Sequence, residues 1–342
     1  MAPPNTLPTR PLGKDGPLVP RLGLGLMGFS VAYGKARSDE ERLEFLTKAW
    51  EMGETFWDTA NLYGDSEDLI GKWFAANPEK RKDIFLATKF GMTFTPSAGI
   101  TIDTSPEHCR ASIEKSLQRL GLPYVDLYYI HRLDGKTPIE KTMRVMVELK
   151  NEGKIKYIGL SEPSAASLRR AYAIHPIACV QNEYSPFCLE VETKTLETAR
   201  ELGVAIVAFS PLGRGILTGA IRGVEDVRGE GDMRHTSGLP WFQEDNLKKN
   251  VELADRIGAL AKKKGVTVAQ LTLAWVLAQG DDFFAIPGTK SAERLRENLG
   301  ALDVEVEEEE EKEIRKLADE VAGARVMEAH SQANYADTPL EE

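Results

Sequence analysis

Eight short apolar runs, each followed by a helix-forming stretch or a loop leading to one, constrain this chain more than any other feature. They span residues 22–26, 54–58, 84–88, 125–130, 155–160, 178–182, 204–209 and 283–286. Each is apolar in the manner of a strand buried on both faces, the composition of a parallel sheet covered by helices. The helices between them have recognisable starts at Ser38 with Glu41, Ser105 before Pro106, and Thr137-Pro138-Ile139-Glu140, which reads as a capping box with Pro at the first helical position. Gly53, Gly121, Gly153 and Gly203 stand where helices should end. Length alone permits one large α/β domain or two smaller ones. Eight strand–helix units in 342 residues are what a (β/α)8 TIM barrel requires.

The expected layout is a loose Pro-rich arm over 1–9, one barrel domain over 10–321 and a mobile tail over 322–342 that either stays free or folds back over the site. An N-terminal β-hairpin is expected around Gly13-Lys14-Asp15-Gly16. The seventh unit is irregular, with a long loop over 211–245 before helices near 246–264 and 267–279. Such a loop, carrying Trp241-Phe242, would lie over one barrel end as a lid. An extra C-terminal helix near 306–321 starts with a run of glutamates, which suits the positive end of a helix dipole.

The chain's net charge is −10, with both signs dispersed, so no basic face for nucleic acid or anionic membrane is present and a small-molecule partner is favoured. Cys109, Cys179 and Cys188 form no CxxC and are odd in number, which suits a reducing compartment. His108, His131, His175, His235 and His330 show no metal-ligand spacing, so no protein-bound metal is expected. The N-terminus lacks an apolar core after a basic start and no run approaches membrane-spanning length, giving a cytoplasmic expectation. No coiled-coil seam or long apolar stripe stands out, so a monomer or weak homo-oligomer is expected.

Gly23-Leu24-Gly25-Leu26-Met27-Gly28 matches the GxGxxG dinucleotide pattern. That fingerprint needs a helix beginning within it, because the helix N-terminus holds the pyrophosphate. Here a loop follows Gly28 and the next helix begins only at Ser38, so a Rossmann reading lacks its context.

Catalytic residues of a TIM barrel lie at the C-terminal strand ends. Those ends carry Asp58 and Tyr63, Lys89, then His131; each alone reads equally as a turn cap, a surface side chain or a core histidine. Together an acid, a phenol, an ammonium and an imidazole at one barrel mouth suit proton donation to a carbonyl oxygen while hydride reaches its carbon. A phenol titrating near about 10 is a weak acid at neutral pH, and a neighbouring ammonium lowers that value. Asp58 would hold Lys89, and His131 would orient the substrate oxygen.

Asp58-Thr59-Ala60-Asn61-Leu62-Tyr63-Gly64, Ala87-Thr88-Lys89 and Tyr129-Ile130-His131-Arg132 resemble the tetrad motifs of the aldo-keto reductases. Gly159-Leu160-Ser161, Gln181-Asn182-Glu183-Tyr184-Ser185, Phe209-Ser210-Pro211-Leu212-Gly213-Arg214-Gly215 and Ile286-Pro287-Gly288-Thr289-Lys290 are similar to that family's cofactor motifs, most closely to the branch of perakine reductase and fungal pyridoxal-reductase-like enzymes. The resemblance spans Arg10 to Ala318 and implies NADPH-dependent reduction of aldehydes, and by extension ketones, to alcohols, with NADPH/NADP+ laid across the barrel mouth. It implies Ser161 and Gln181 on the carboxamide, Phe209 stacked on the nicotinamide, and Ser210, Leu212, Gly213 and Arg214 along the pyrophosphate. Gly28, Glu297 and Asn298 are further implied cofactor contacts. Gly288, Thr289, Lys290 and Arg294 border a helix start near Ser291, where two cations and main-chain N–H groups suit a 2′-phosphate. Phe29, Trp57 and the 211–245 loop are expected to shape an apolar pocket for a small-molecule carbonyl substrate, with Trp57 alternatively in the barrel wall. The rival reading is an NADPH-binding regulatory subunit of the same fold.

Overall fold

A computed structural model describes residues 2–95, 97 and 99–341. Met1 and Glu342, the outer ends of the expected arm and tail, lie outside the described residues, as does the side chain of His330. The chain opens with an antiparallel hairpin, β1 (Thr9–Pro11) and β2 (Leu18–Pro20), turned by Gly13 at φ 82°. Eight parallel strands follow: β3 (Leu24–Gly25), β4 (Phe56–Asp58), β5 (Phe85–Phe90), β8 (Val125–Ile130), β9 (Ile155–Ser161), β10 (Cys179–Glu183), β11 (Ala205–Phe209) and β12 (Phe283–Ala285). They hydrogen-bond in chain order, and parallel bridges Leu22–Ala285 and Gly25–Gly288 join the first strand to the last, closing the sheet as a (β/α)8 barrel. Between β5 and β8 lies an antiparallel pair not among the expected strands, β6 (Met92–Thr95) and β7 (Gly99–Ile102).

The helices form because the local signals agree with the barrel. Ser38 accepts from Glu41 N in a full capping box, and Ser105 accepts from His108 N with Pro106 at the first helical position. Gly121 and Gly203 close their helices in the left-handed conformation. The Thr137 box does not form: the helix 139–151 has no side-chain cap, because the Thr137 hydroxyl and amide are both spent on Asp134. One core lies between sheet and helices and a second fills the barrel, the latter including Phe56, Ala87, Leu127, Tyr129, Cys179 and Val207. Leu12 and Val19 of the hairpin belong to this interior core and plug the end opposite the strand C-termini, with Lys14 N bonded to Gly203 O at 2.6 Å.

The long loop over 211–245 is built from short helical turns and is fastened to the segment after β3 by Met233 N to Ala32 O (2.8 Å) and Gly34 N to Gly231 O (3.2 Å). The tail is bonded to the barrel. Pro163 pairs with Ala336, Asp337 accepts from Ser164 and Ser167, and Arg170 donates to Thr338 O and Pro339 O. Main-chain and ionic bonds together tie it across the ends of β9 and β10.

Candidate active site

Alternate side chains of a strand point to opposite faces, so the residues that fill the barrel set the parity of those at its rim. Phe56, Ala87, Cys179 and Val207 face inward, and two residues on in each strand stand Asp58, Lys89, Gln181 and Phe209. Tyr129 continues the same parity to His131. Beneath them Tyr129 lies against Gly159, where a Cβ would come within 2.5 Å of the ring, so a larger residue there would displace the floor of the site.

The four tetrad candidates meet. Lys89 Nζ, fully buried, donates to Asp58 Oδ1, to Thr59 O at 2.8 Å and toward Tyr63 Oη at 3.4 Å. Gln181 Nε2 donates to the other Asp58 oxygen at 2.8 Å. The Tyr63 and His131 rings meet edge to face with centroids 5.9 Å apart. Burial pushes the Asp58 carboxyl up, against the pull of Lys89 and Gln181. Burial works against the Lys89 ammonium, but Asp58 and Tyr63 outweigh it and hold its pKa above the ordinary lysine value. His131 is held well below the usual imidazole range by burial and by the charges of Lys89 and Arg132, so it is neutral. Tyr63 corrects an expectation: Lys89 does draw its phenol down, but burial acts more strongly and the net shift is upward.

Several of the expected cofactor positions are joined by contacts that lead away from this centre. Ser161 Oγ donates to Gln181 O at 3.0 Å and accepts from Arg132 Nη1 at 2.9 Å. The Arg132 guanidinium lies 5.8 Å from the Phe209 ring centroid. Ser210, Gly213, Arg214 and Gly215 all have positive φ (49°, 55°, 54° and 101°), a strained run where the chain leaves β11. The Arg214 side chain pairs with Glu183, and its carbonyl accepts from Arg234, which stacks over Tyr33. Leu212 is buried beside this run, and a Cβ at Gly28 would stand 3.2 Å from the Tyr33 ring. Farther along, Thr289 Oγ1 accepts from Ser291 N, Ser291 caps the helix 292–299, and Lys290 Nζ donates to Tyr33 O at 2.7 Å. Arg294 is exposed, Glu297 half-buried and Asn298 buried on that helix, while Gly288 serves the barrel seam. Among the described residues neither Lys290 nor Arg294 pairs with a carboxylate, and His131 Nδ1 is buried with no partner. Unmatched positive charge at one end and an unmet polar atom at the other suit a ligand with a phosphate at its far end.

Residues 21–319 match the Aldo/keto reductase family. The chain belongs to this family. It is 48% identical to aldo-keto reductase str7 of Strobilurus tenacellus over 341 residues, covering 97% of this chain and 98% of that one. Identity is 44% over 342 residues to the Schizosaccharomyces pombe aldo-keto reductase yakc [NADP(+)], covering 98% of both. A solved glycerol dehydrogenase of Gluconobacter oxydans superposes with a TM-score of 0.80 at 28% identity, covering 92% of this chain and 96% of that one.

Of the side chains expected at the pocket of this aldo/keto reductase, Trp57 takes its alternative place in the barrel wall. Trp57 is fully buried between sheet and helices, its ring 4.8 Å from Trp73 and its Nε1 bonded to Glu54 O at 2.9 Å. Parity demands this, because Asp58 faces the barrel and its neighbour must face away. Phe29 is likewise a core residue, 2% exposed and packed on Phe45 at 5.0 Å. Not expected from the sequence are the charges of this reductase around its rim: half-buried Arg132 and buried Glu162 and Glu183, joined by buried Arg325 from the tail. A signal for the first three was available, since each charge stands within one or two residues of a site position at the end of an apolar strand. No helix among the described residues is long and apolar enough to cross a membrane, and no cluster of three or more His, Cys, Asp or Glu there is arranged to hold a metal ion.

Proposed function

We propose that this aldo/keto reductase reduces aldehydes, and by extension ketones, to alcohols with NADPH, Tyr63 acting as the proton donor. The observation that carries the reading is the contact of one buried ammonium, Lys89, with both Asp58 and the Tyr63 phenol. NADPH, when bound, supplies the hydride. Ser161 and Gln181 would hold its carboxamide, Phe209 its ring, and Ser210, Leu212, Gly213 and Arg214 its pyrophosphate. Lys290 and Arg294, lacking carboxylate partners, would take the 2′-phosphate, with Gly28, Gly288, Thr289, Glu297 and Asn298 around the adenosine end.

The neutral Tyr63 hydroxyl gives its proton to the carbonyl oxygen, and the phenolate left behind is stabilised by Lys89, which Asp58 keeps charged and in place. Neutral His131 donates a hydrogen bond to the same oxygen and orients it. Solvent then restores the Tyr63 proton. The reading extends to a monomer or weak homo-oligomer in the cytoplasm acting on a small-molecule carbonyl, supported by three buried unpaired cysteines that suit a reducing compartment. The test is oxidation of NADPH, with NADH in parallel, by purified protein and a panel of aromatic and aliphatic aldehydes including pyridoxal. Turnover confined to NADPH supports the reading. Tight NADPH binding without turnover on any aldehyde overturns it in favour of a regulatory subunit.

A further inference from the structure

Arg325 is 5% exposed, although it belongs to the tail and not to the barrel. Its Nη1 donates to Glu162 Oε1 at 2.7 Å and to Glu183 Oε2 at 3.0 Å, and its Nε donates to Glu190 Oε2 at 3.0 Å. The ring of Tyr335 lies 5.7 Å away, and the Asn334 amide, turned to suit its neighbours, bridges Glu162 Oε2 (3.0 Å) and Arg325 Nη2 (3.2 Å). Glu162 and Glu183 have fully buried side chains. They stand at the ends of β9 and β10, the strands that present Ser161 and Gln181.

Each of these two carboxylates has a second arginine. Glu162 pairs with Arg132 at 3.0 Å, and Arg132 in turn bonds Ser161 and lies over Phe209. Glu183 takes a two-pronged bond from Arg214 at 3.1 and 2.9 Å. Arg214 and Arg132, both at expected cofactor positions or in contact with them, are thus each claimed by a carboxylate. A pyrophosphate that engages Arg214 must compete with Glu183, and a fully buried carboxylate stripped of its partners is strongly disfavoured. Among the described residues Arg325 is the one cation that touches both carboxylates.

We propose that Arg325 is a resident counter-ion: it neutralises Glu162 and Glu183 so that Arg214 and Arg132 are free to serve an anionic, pyrophosphate-bearing cofactor, making the tail part of the cofactor-binding apparatus. Arg325 is on this account a positioning residue, and the inference rests on the NADPH reading above. The experiment is the dissociation constant of NADPH for the full-length chain, by quenching of intrinsic fluorescence, with thermal stability measured alongside. Arg325→Met keeps the length and removes the charge, and is expected to weaken NADPH about tenfold or more. Adding Glu183→Gln to it removes the carboxylate that would then hold Arg214, and is expected to restore affinity to within about threefold of the parent chain. Arg325→Lys, which keeps a charge at the site, should bind NADPH more tightly than Arg325→Met and serves as the comparison if the neutral variant does not fold. An Arg325→Met chain of lowered stability but unchanged NADPH affinity would show a purely structural staple and overturn the inference, as would a double variant no better than the single one. If the parent chain itself binds no NADPH, the cofactor reading fails first, which distinguishes the two failures.

Discussion

The Tyr63 phenol is pushed up by burial and drawn down by Lys89 and Arg132, and the first effect prevails. On the proposed reading Tyr63 is a proton donor and needs its proton, so a raised pKa keeps it in the active form beside the Lys89 ammonium. Tyr63→Phe removes the proton and nothing else of bulk; kcat should fall by about 10²–10⁴ while the NADPH dissociation constant stays unchanged. Unchanged turnover would remove Tyr63 from the role. The pH dependence follows from the same two groups. Tyr63 is active while protonated, so kcat/KM should fall only as pH rises above about 10, beyond the ordinary tyrosine value. His131 is neutral because its folded pKa lies well below about 6.5, so no limb should appear at that pH in a kcat/KM profile. The same depression sets a stability trend. The unfolded chain takes up a proton near about 6.5 that folded His131 refuses, so its share of stability is complete above that value and declines as pH falls toward the folded pKa.

Elements hold these residues through bonds that the tetrad itself does not reveal. Arg119, near the end of the helix 106–120, donates to Asn61 O at 3.2 Å and to Gly64 O, the carbonyls on either side of Tyr63, and pairs with buried Glu67 and with Asp68. Glu67 accepts in turn from Thr88, the neighbour of Lys89, so one network fixes the loop of the phenol to the strand of the ammonium. Arg119→Ala leaves the Glu67 carboxylate buried without its cation; a loss of about 3 kcal/mol in urea unfolding is expected, with kcat reduced more than KM. An unaltered kcat would restrict Arg119 to stability. Trp57 gives the complementary case: Trp57→Phe should lower stability by about 1–3 kcal/mol through the space it opens between β4 and the helix carrying Trp73, and leave the order of preferred aldehydes unchanged. A changed order would return Trp57 to the pocket. Its position was readable beforehand, because choosing Asp58 as an inward residue already turns Trp57 outward, whereas the Thr137 box could not be resolved from local pattern when Asp134 competed for the same hydroxyl.

Across the whole molecule the two barrel ends divide their labour. The hairpin end carries Leu12 and Val19 in the interior core, and the opposite rim carries the proposed catalytic residues. Leu12→Ala should therefore cost about 2–5 kcal/mol of stability with no change in NADPH affinity, and a weakened affinity would mean that the two ends are coupled. The barrel was legible in the sequence because each strand is a local apolar run with a glycine or proline near it, and the rim residues because strand ends mark them. The tail was not, because Arg325 is held by Glu162 and Glu183, partners distant in sequence that no local pattern connects. The β6–β7 pair lacks the mark of the barrel strands: Thr93, Phe94, Ile100 and Thr101 have strand-forming side chains, but neither strand is buried on both faces. The seam between residues 22–25 and 285–288 has a consequence during synthesis. At about 5–20 residues per second, the first barrel strand leaves the ribosome on the order of ten seconds or more before the last one exists. Throughout that interval its outer edge has no permanent neighbour, and a message truncated before codon 285 yields an open sheet with two adhesive edges.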